Sequence, residues 1–297
     1  MQSLSDAELL AFNKRGIIPG PHETEEEFIK RAQYCLNLRQ ELSQTEELPD
    51  SFEQVELDLS QTILKEAFSL SADLFDIAPD WIPIVFSNEQ MPPWHGGCAW
   101  IFQLSEETPT AALLQMRKPF FYSERYLGIY SRTEIAAHEF VHVGRMLFEE
   151  PRYEEVLAYR TSPSSLRRWL GPIVESARES LMFVLLLGVI IMADIALIAT
   201  GQHTAYQWAM WLKAIPLGII GYGLWRLAKK HRRFNRCLAN LESIYHNKRT
   251  AQAVIFRLTD EEIDTFSRQS GDAVRANLQE PPLTLRHRLL SLLKDKS

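Results

Sequence analysis

Two histidines four residues apart, His138 and His142, bracket a glutamate in the string HEFVH. On a helix, positions i and i+4 lie one turn apart on one face, so the two imidazoles can converge on a single ion, and Glu139 lies beside them. A catalytic zinc site takes three protein ligands and leaves one position open, and a neighbouring carboxylate can accept a proton from water there. About two chains in a hundred of this composition would carry such a string by accident, so its context must carry weight. The surrounding run SRTEIAAHEFVHVGRMLFEE reads as a helix with Ser131 or Thr133 as N-cap and Pro151 beyond its end. Ala136, Phe140, Val143 and Leu147 share one face for a core, while Glu134, His138, His142, Arg145 and Glu149 share another.

A third ligand has to return from beyond Pro151, where RYEEVLAYR can start a second helix antiparallel to the first. Climbing from His142 to Glu149 covers roughly 10 Å, and coming back from Arg152 to Glu155 recovers about 5 Å, a gap that a glutamate side chain can span. Glu155 is therefore admissible. Glu154 is its competitor, pointing about 100° away on the helix surface. Glu149 and Glu150 read as solvated surface charges, and Tyr153, Tyr159 and Arg160 stand near enough in sequence to donate to an oxyanion.

HEFVH followed by Glu155-Val156-Leu157-Ala158-Tyr159 resembles, distantly, the HExxH plus ExxA(D) arrangement of membrane-embedded gluzincins related to the CAAX prenyl endopeptidases and bacterial heat-shock membrane proteases. The stretch from Pro281 to Leu289 is similar to the PPxxxRxxxL segment near the end of their soluble domains. The resemblance implies His138, His142 and Glu155 as Zn2+ ligands, Glu139 as the catalytic base, and a zinc metallopeptidase acting on a protein or peptide. The chain departs from that pattern at Tyr159, where the family has Asp, in the short interval from His142 to Glu155, and in a membrane hairpin that follows Glu155 instead of preceding it.

The elements around the motif set its location. From Leu181 to Ile198 the chain is apolar except for Asp194, the roughly 18 residues needed to cross a hydrocarbon core as a helix. After the loop TGQHTA, a second apolar stretch from Tyr206 to Ala228 carries Lys213 and Pro216. With a turn near His203, Asp194 and Lys213 fall at similar depth, roughly 14 Å below it, and can neutralise each other. Arg160, Arg167, Arg168 and Arg178 precede the first stretch, Arg226, Lys229, Lys230, Arg232, Arg233 and Arg236 follow the second, and the loop has no Arg or Lys. Both flanks, and both termini, are therefore expected in the cytoplasm. MQSLSDAELLAFNKRG lacks a basic-then-apolar signal pattern, so the first span is expected to direct insertion.

The expected fold is α+β and mostly helical: a zincin-like part with a small sheet and an active-site helix, plus a two-helix transmembrane hairpin. Residues 1–178 form the N-terminal helical and catalytic region, 179–228 the hairpin (about 180–199 and 206–228), and 229–297 a cytoplasmic helical region docking on the catalytic part. Ser5 caps a first helix, and Thr24 with Glu27 forms a capping box for a helix bearing Phe28, Ile29, Ala32 and Cys35. Another helix runs through QTILKEAFSLSADLF, then WIPIVFSN, GGCAWIFQL and TAALLQMR read as short strands. Thr259 or Asp260 caps a later helix, and LTLRHRLLSLL forms the last.

Composition narrows the function classes. The 297 residues are 46% hydrophobic and 24% charged, a globular balance. A net charge of -6 offers no global basic field for nucleic acid. Cys35, Cys98 and Cys237 form no CxxC pair, which argues against a disulfide framework or a thiolate zinc site. His95 reads as a turn residue, Cys98 as packed in the sheet, and Cys237 as a buried thiol or an acylation site. The expected partners are a protein or peptide substrate and a lipid bilayer. Two other readings stand beside the peptidase: a non-catalytic membrane-anchored interaction protein with an accidental HEFVH, and a zinc hydrolase acting on a non-peptide substrate.

Overall fold

Short polar side chains start the first two helices. Ser5 and Glu8 close a capping box on α1 (Asp6–Lys14), and Thr24 and Glu27 close another on α2 (Glu25–Ser43). From α2, Phe28, Ala32, Cys35 and Leu38 are buried, and Ile29 is half-buried against them. The computed structural model describes residues 3–43, 53–54, 57–93, 95–173, 177–279 and 284–294.

The three runs read as strands form strands. β1 (Glu53–Gln54) precedes α3 (Leu57–Phe75), and β2 (Ile84–Phe86), β3 (Gly97–Phe102) and β4 (Ala111–Met116) follow. The sheet order is β1-β2-β4-β3, with β2 parallel to β4 (Ile84 opposite Leu114) and β3 antiparallel to it (Gly97 opposite Met116). Every residue of β2 and β4 is buried, as expected of inner strands with no solvated face, whereas β3 forms an edge and leaves Trp100 and Ile101 exposed. Cys98 is half-buried in β3, and His95 stands exposed in the loop before it. A single turn, α4 (Pro119–Tyr122), and a minimal hairpin, β5 (Arg125–Tyr126) with β6 (Tyr130–Ser131), lead into the motif helix α5 (Arg132–Gly144).

Helix α5 packs on α3, where Phe68 stacks on Phe140 at 4.9 Å, and lies along β3. Ala136, Phe140 and Val143 are buried as the periodicity requires. The helix is shorter than the sequence suggests: it stops at Gly144, with Arg145 as C-cap, so Leu147 and Glu149 lie in the turn that follows. Arg145, expected beside the histidines, is instead fully buried, donating to the carbonyls of Phe256 and Leu258. Ser131 occupies the N-cap without a side-chain bond there, and Thr133 donates to Glu66. α6 (Pro151–Ala158) runs back along α5 and is followed by α7 (Ser165–Leu170).

Helix α8 (Ala177–Ala199) is the described helix long and apolar enough to cross a membrane; over Arg178–Ala199 its mean hydropathy is 2.9 and 6% of the window is buried. The second expected stretch, 206–228, does not form one matching helix. It is divided among α9 (His203–Ala209), a 3-10 turn Met210–Lys213 and the start of α10 (Ala214–Tyr245). Pro216 explains the division: it lacks an N–H to continue a helix from upstream, yet it fits in the first turn of a new one. Lys213 Nζ lies 2.9 Å from Asp194 Oδ2, the pair expected from equal depth.

Helix α10 is 32 residues long and leaves the apolar region to enter the core, burying Leu227, Phe234, Cys237, Leu238 and Leu241. α11 (Lys248–Phe256), α12 (Asp260–Phe266), α13 (Gly271–Gln279) and α14 (Leu285–Lys294) complete the chain. One hydrophobic core joins them to the N-terminal elements, with Phe75 stacked on Phe256 at 4.7 Å. Pro281, Pro282 and Leu283 of the PPLTLRHRL stretch lie outside the described residues. Its Arg286 is buried and forms a two-pronged pair with Glu262, at 2.9 Å and 2.8 Å.

Burial alone would raise the Glu262 carboxyl, but hydrogen bonds from His287 and Arg286 hold it at about 2, below its ordinary 4.5. A depressed carboxyl stabilises the fold fully above its unfolded value, and that contribution is lost as pH falls from about 4.5 through about 2. Glu262→Gln should therefore cost about 1.5–3 kcal/mol near neutral pH. Thermal unfolding of the detergent-solubilised variant and parent should converge as the pH approaches the folded-state value.

Candidate metal centre

The site is built where α5, α6 and β3 meet. Gly97 allows the strand to approach the helix, because a Cβ there would lie 2.7 Å from Ile135 Cγ2. That closeness lets the backbone N–H of Ala99 donate to Glu139 Oε2 at 2.9 Å. Glu139 is thus buried with one oxygen fixed by the strand. The imidazoles of His138 and His142 meet one turn apart, with their Nε2 atoms 3.3 Å apart.

Glu155 arrives from α6 and straddles the two rings. Its Oε2 lies 3.6 Å from His138 Nε2, and its Oε1 lies 3.5 Å from His142 Nε2. His138, His142 and Glu155 form the cluster that could hold a metal ion among the described residues, with one donor atom from each within 4.8 Å of the others. A tetrahedral divalent ion with bonds of about 2.0–2.1 Å spaces its ligands about 3.4 Å apart. The two nitrogens, 3.3 Å apart, already match that spacing, while Glu155 turns a different oxygen to each ring, so a small rotation of its carboxyl would bring one oxygen onto a shared ion. Two neutral nitrogens and one carboxylate also make a donor set suited to such an ion.

Glu154, which sequence reasoning treated as a competitor for the third ligand, has a different place. Its Oε1 accepts from His142 Nδ1 at 2.7 Å, on the side of the ring away from Glu155. With Nδ1 carrying the hydrogen toward Glu154, Nε2 would be the nitrogen left to hold an ion, and the contact restrains the ring. The missed signal was the pair of adjacent glutamates itself. Two consecutive helix residues diverge by about 100°, and a ring held between them can use both carboxylates.

Electrostatics follow from three carboxylates, Glu139, Glu154 and Glu155, placed around two half-buried rings. Burial and the neighbouring His142 push His138 down to about 3. Burial also opposes charge on His142, but the Glu154 hydrogen bond, with Glu139 and Glu155 close by, holds it up at about 9. Burial raises both Glu139 and Glu155, against the opposing pull of His142. The cluster thus favours one positive charge among its carboxylates, carried by a proton on His142 or by a cation between the two Nε2 atoms. Lys230, buried on α10, contributes a further positive charge that lowers Glu155.

Of the three side chains considered as oxyanion donors, only Tyr159 lies against the triad, its ring edge-on to His138 at 4.7 Å. Gly171 makes room for that ring, since a Cβ there would overlap it. Tyr153 is engaged with Asp264 Oδ1 at 2.5 Å, and Arg160 bonds Asn235 and lies over Phe234. Glu149 is exposed, and Glu150 accepts from the Asp260 N–H at 2.6 Å. Cys237 is a buried free thiol, pushed up by its burial.

Comparison with protein-family models, with curated proteins and with solved structures finds no match to this chain.

The geometry separates ligand from orienting residue in a measurable way. His138→Ala, His142→Ala and Glu155→Ala should each abolish stoichiometric zinc measured by atomic spectroscopy. Glu154→Gln should still bind, about 10- to 100-fold more weakly, the loss usual for a carboxylate behind a metal-bound histidine. Equal losses for Glu154 and Glu155 would place both on the ion.

Proposed function

We propose that this chain is a membrane-anchored zinc-dependent endopeptidase that hydrolyses peptide bonds on the cytoplasmic side of a bilayer. The observation that carries this reading is the convergence of His138, His142 and Glu155, one donor atom from each within 4.8 Å of the others, with Glu139 buried beside them. Zn2+ is the ion that suits two imidazoles and a carboxylate in a closely spaced set, and when bound it supplies Lewis acidity toward water and a carbonyl oxygen.

The chain's own groups do the rest. Glu139 keeps one oxygen on the Ala99 N–H and has the other free to take a proton from a water molecule as it attacks the peptide carbonyl. The same carboxyl returns that proton to the leaving amine, so the C–N bond breaks with a net gain of one water. Its raised pKa, caused by burial, makes it a better proton acceptor than an exposed glutamate. Glu154 holds the His142 ring, and Tyr159 closes the opposite side over His138.

A peptide substrate is favoured by the outer edge of β3. Leu114, opposite Ala99, sends its N–H to Pro83 just before β2, so the backbone groups of Ala99 face away from β4, its N–H toward Glu139 and its C=O along the open edge, as do those of Ile101 by the two-residue strand period. An extended main chain can pair along that edge and bring its carbonyl to Glu139.

The membrane reading has its own support. Leu181, Val184, Val189, Ile191, Ile195 and Ile198 of α8 are all more than half exposed, an apolar surface far beyond the ordinary patch of a soluble protein. The Asp194–Lys213 pair neutralises two charges at one depth and supports a second crossing through 203–228, giving two passes with both termini cytoplasmic. Reporters fused at residues 1 and 297 should both signal the cytoplasm.

For the chemistry, Glu139→Gln is the decisive variant. It should keep its zinc and lose roughly a hundredfold to ten-thousandfold in cleavage of a peptide library. A Gln variant of full activity would remove Glu139 from the mechanism.

A further inference from the structure

The β5–β6 turn is built on an unfavourable residue. Leu127 and Gly128 both have positive φ, 52° and 71°, and Ile129 N–H closes on Tyr126 O at 3.3 Å, a tight turn inside the three-residue loop that joins Tyr126 to its partner Tyr130. A leucine in left-handed backbone is strained, and here packing gives nothing back: Leu127 is 63% exposed and Ile129 59% exposed. The short helix α7 shows the same feature, with Leu166 67% and Trp169 43% exposed.

These two apolar projections are joined. Arg167 on α7 donates to Ile129 O at 2.8 Å and pairs with Glu134 at the start of α5 at 2.6 Å. Their height is fixed by α10. His231 lies 2.9 Å from Trp169 O and stacks on its ring, while Arg226, nearer the apolar end, pairs with Glu179 of α8 at 3.2 Å. From Arg226 to His231 the helix climbs about 7.5 Å, which is the thickness of a headgroup layer. Ile173, three residues past α7, lies against Gly223, within the apolar stretch itself. The segment from α7 to Ile173 thus runs down α10 from headgroup level into the apolar band.

We infer that the β5–β6 turn and α7 insert shallowly into the interfacial layer of the same bilayer that holds α8, a third point of attachment that presses the metal centre against the membrane surface. The inference rests on the membrane reading above. Its occupant is lipid because the segment from Trp169 to Ile173 descends from headgroup level onto the apolar stretch of α10, and because exposed Leu and Ile at a turn tip with Trp on α7 suit the interfacial layer. Three attachments around α5 leave the metal centre open only to chain segments lying close to the lipid, so the substrates it selects are juxtamembrane segments of other membrane proteins.

The test uses full-length protein in phosphatidylcholine–phosphatidylglycerol vesicles. In a Cys98→Ser background, where Cys35 and Cys237 are buried, the environment-sensitive fluorophore NBD is attached at Leu127→Cys, Ile129→Cys or Leu166→Cys, with Val189→Cys on α8 as lipid control and Glu106→Cys as water control. The turn and α7 probes should emit at shorter wavelength than the Glu106 probe and be quenched more by nitroxide lipids labelled near the headgroup than by those labelled deep. The Val189 probe should show the opposite depth preference. Iodide quenching of the turn and α7 probes equal to that at Glu106, with Val189 still in lipid, overturns the inference and leaves the membrane reading standing. Iodide access at Val189 as well overturns both. Because Cys at 127 alters the turn, agreement between the Ile129 and Leu166 probes decides the case if that variant misfolds.

Discussion

The hydrogen bond of 2.7 Å between His142 and Glu154 is the contact on which the centre depends. It would leave Nε2 as the nitrogen to meet an ion, and it fixes α6 across α5 so that the next residue, Glu155, falls between the two rings. A short helix such as α6 has little stability of its own, and its first residue, Pro151, follows an N-cap, Glu150, that makes no side-chain cap bond. The cap comes from elsewhere. Asp260, at the start of α12, accepts from the N–H groups of Arg152 and Tyr153 at 2.8 and 3.2 Å. Glu150 returns the bond to the Asp260 N–H, so two helices more than a hundred residues apart cap each other. Burial pushes the Asp260 carboxyl up to about 6, a strain accepted where the geometry of a ligand-bearing helix is at stake.

Arginines pin the loop that carries Asp260. Arg145 donates to Phe256 O and Leu258 O, Arg257 binds Asn13 and Phe75 O, and Arg286 reaches Arg257 O while pairing with Glu262. All three are buried. Buried guanidinium groups contribute little net stability against a hydrophobic alternative, but their several directional donors tolerate few arrangements of the carbonyls they bind. They specify one path for residues 256–260, and through Asp260 one position for Glu154 and Glu155. The stretch ending in the last helix thus reaches the His–Glu cluster through a chain of contacts and touches none of its three candidate ligands.

Local signals explain what could be read from the chain. The three strand runs, the Ser5 and Thr24 capping boxes, the buried face Ala136–Phe140–Val143 and the i, i+4 histidines are each set by residues within one or two turns of each other. Counting helical rise across a turn made Glu155 admissible but left Glu154 beside it as a competitor, and the Asp194–Lys213 pair followed from equal distances to a bend. Long-range contacts were invisible. The early end of α5 depends on Arg145 finding carbonyls 111 residues away, a partner no periodicity reveals. The role of Glu154 depends on which ring nitrogen it meets, a matter of rotamer and not of spacing. The break after Ala209 escaped a hydropathy reading because such a reading counts apolar residues and does not register that Pro216 restarts the helix.

Helix α10 places the centre relative to the bilayer in the proposed topology. Its first half exposes Ile215, Leu217, Ile219, Ile220 and Trp225, and its second half is core, so one rigid rod of about 48 Å belongs to both anchor and soluble body. A rod admits no hinge between them, because a kink needs a proline, glycine pair or bulge, and the stretch from Trp225 to Tyr245 contains neither residue. Lys230, which acts on Glu155, follows Arg226 by one turn, roughly 6 Å along the axis. In that topology the residue whose charge acts on Glu155 lies about one helical turn from Arg226, so the rod of α10 would set the height of the cluster above the apolar band. Under the proposed reading, a peptidase held at that height would meet a peptide bond only where the substrate chain leaves the lipid.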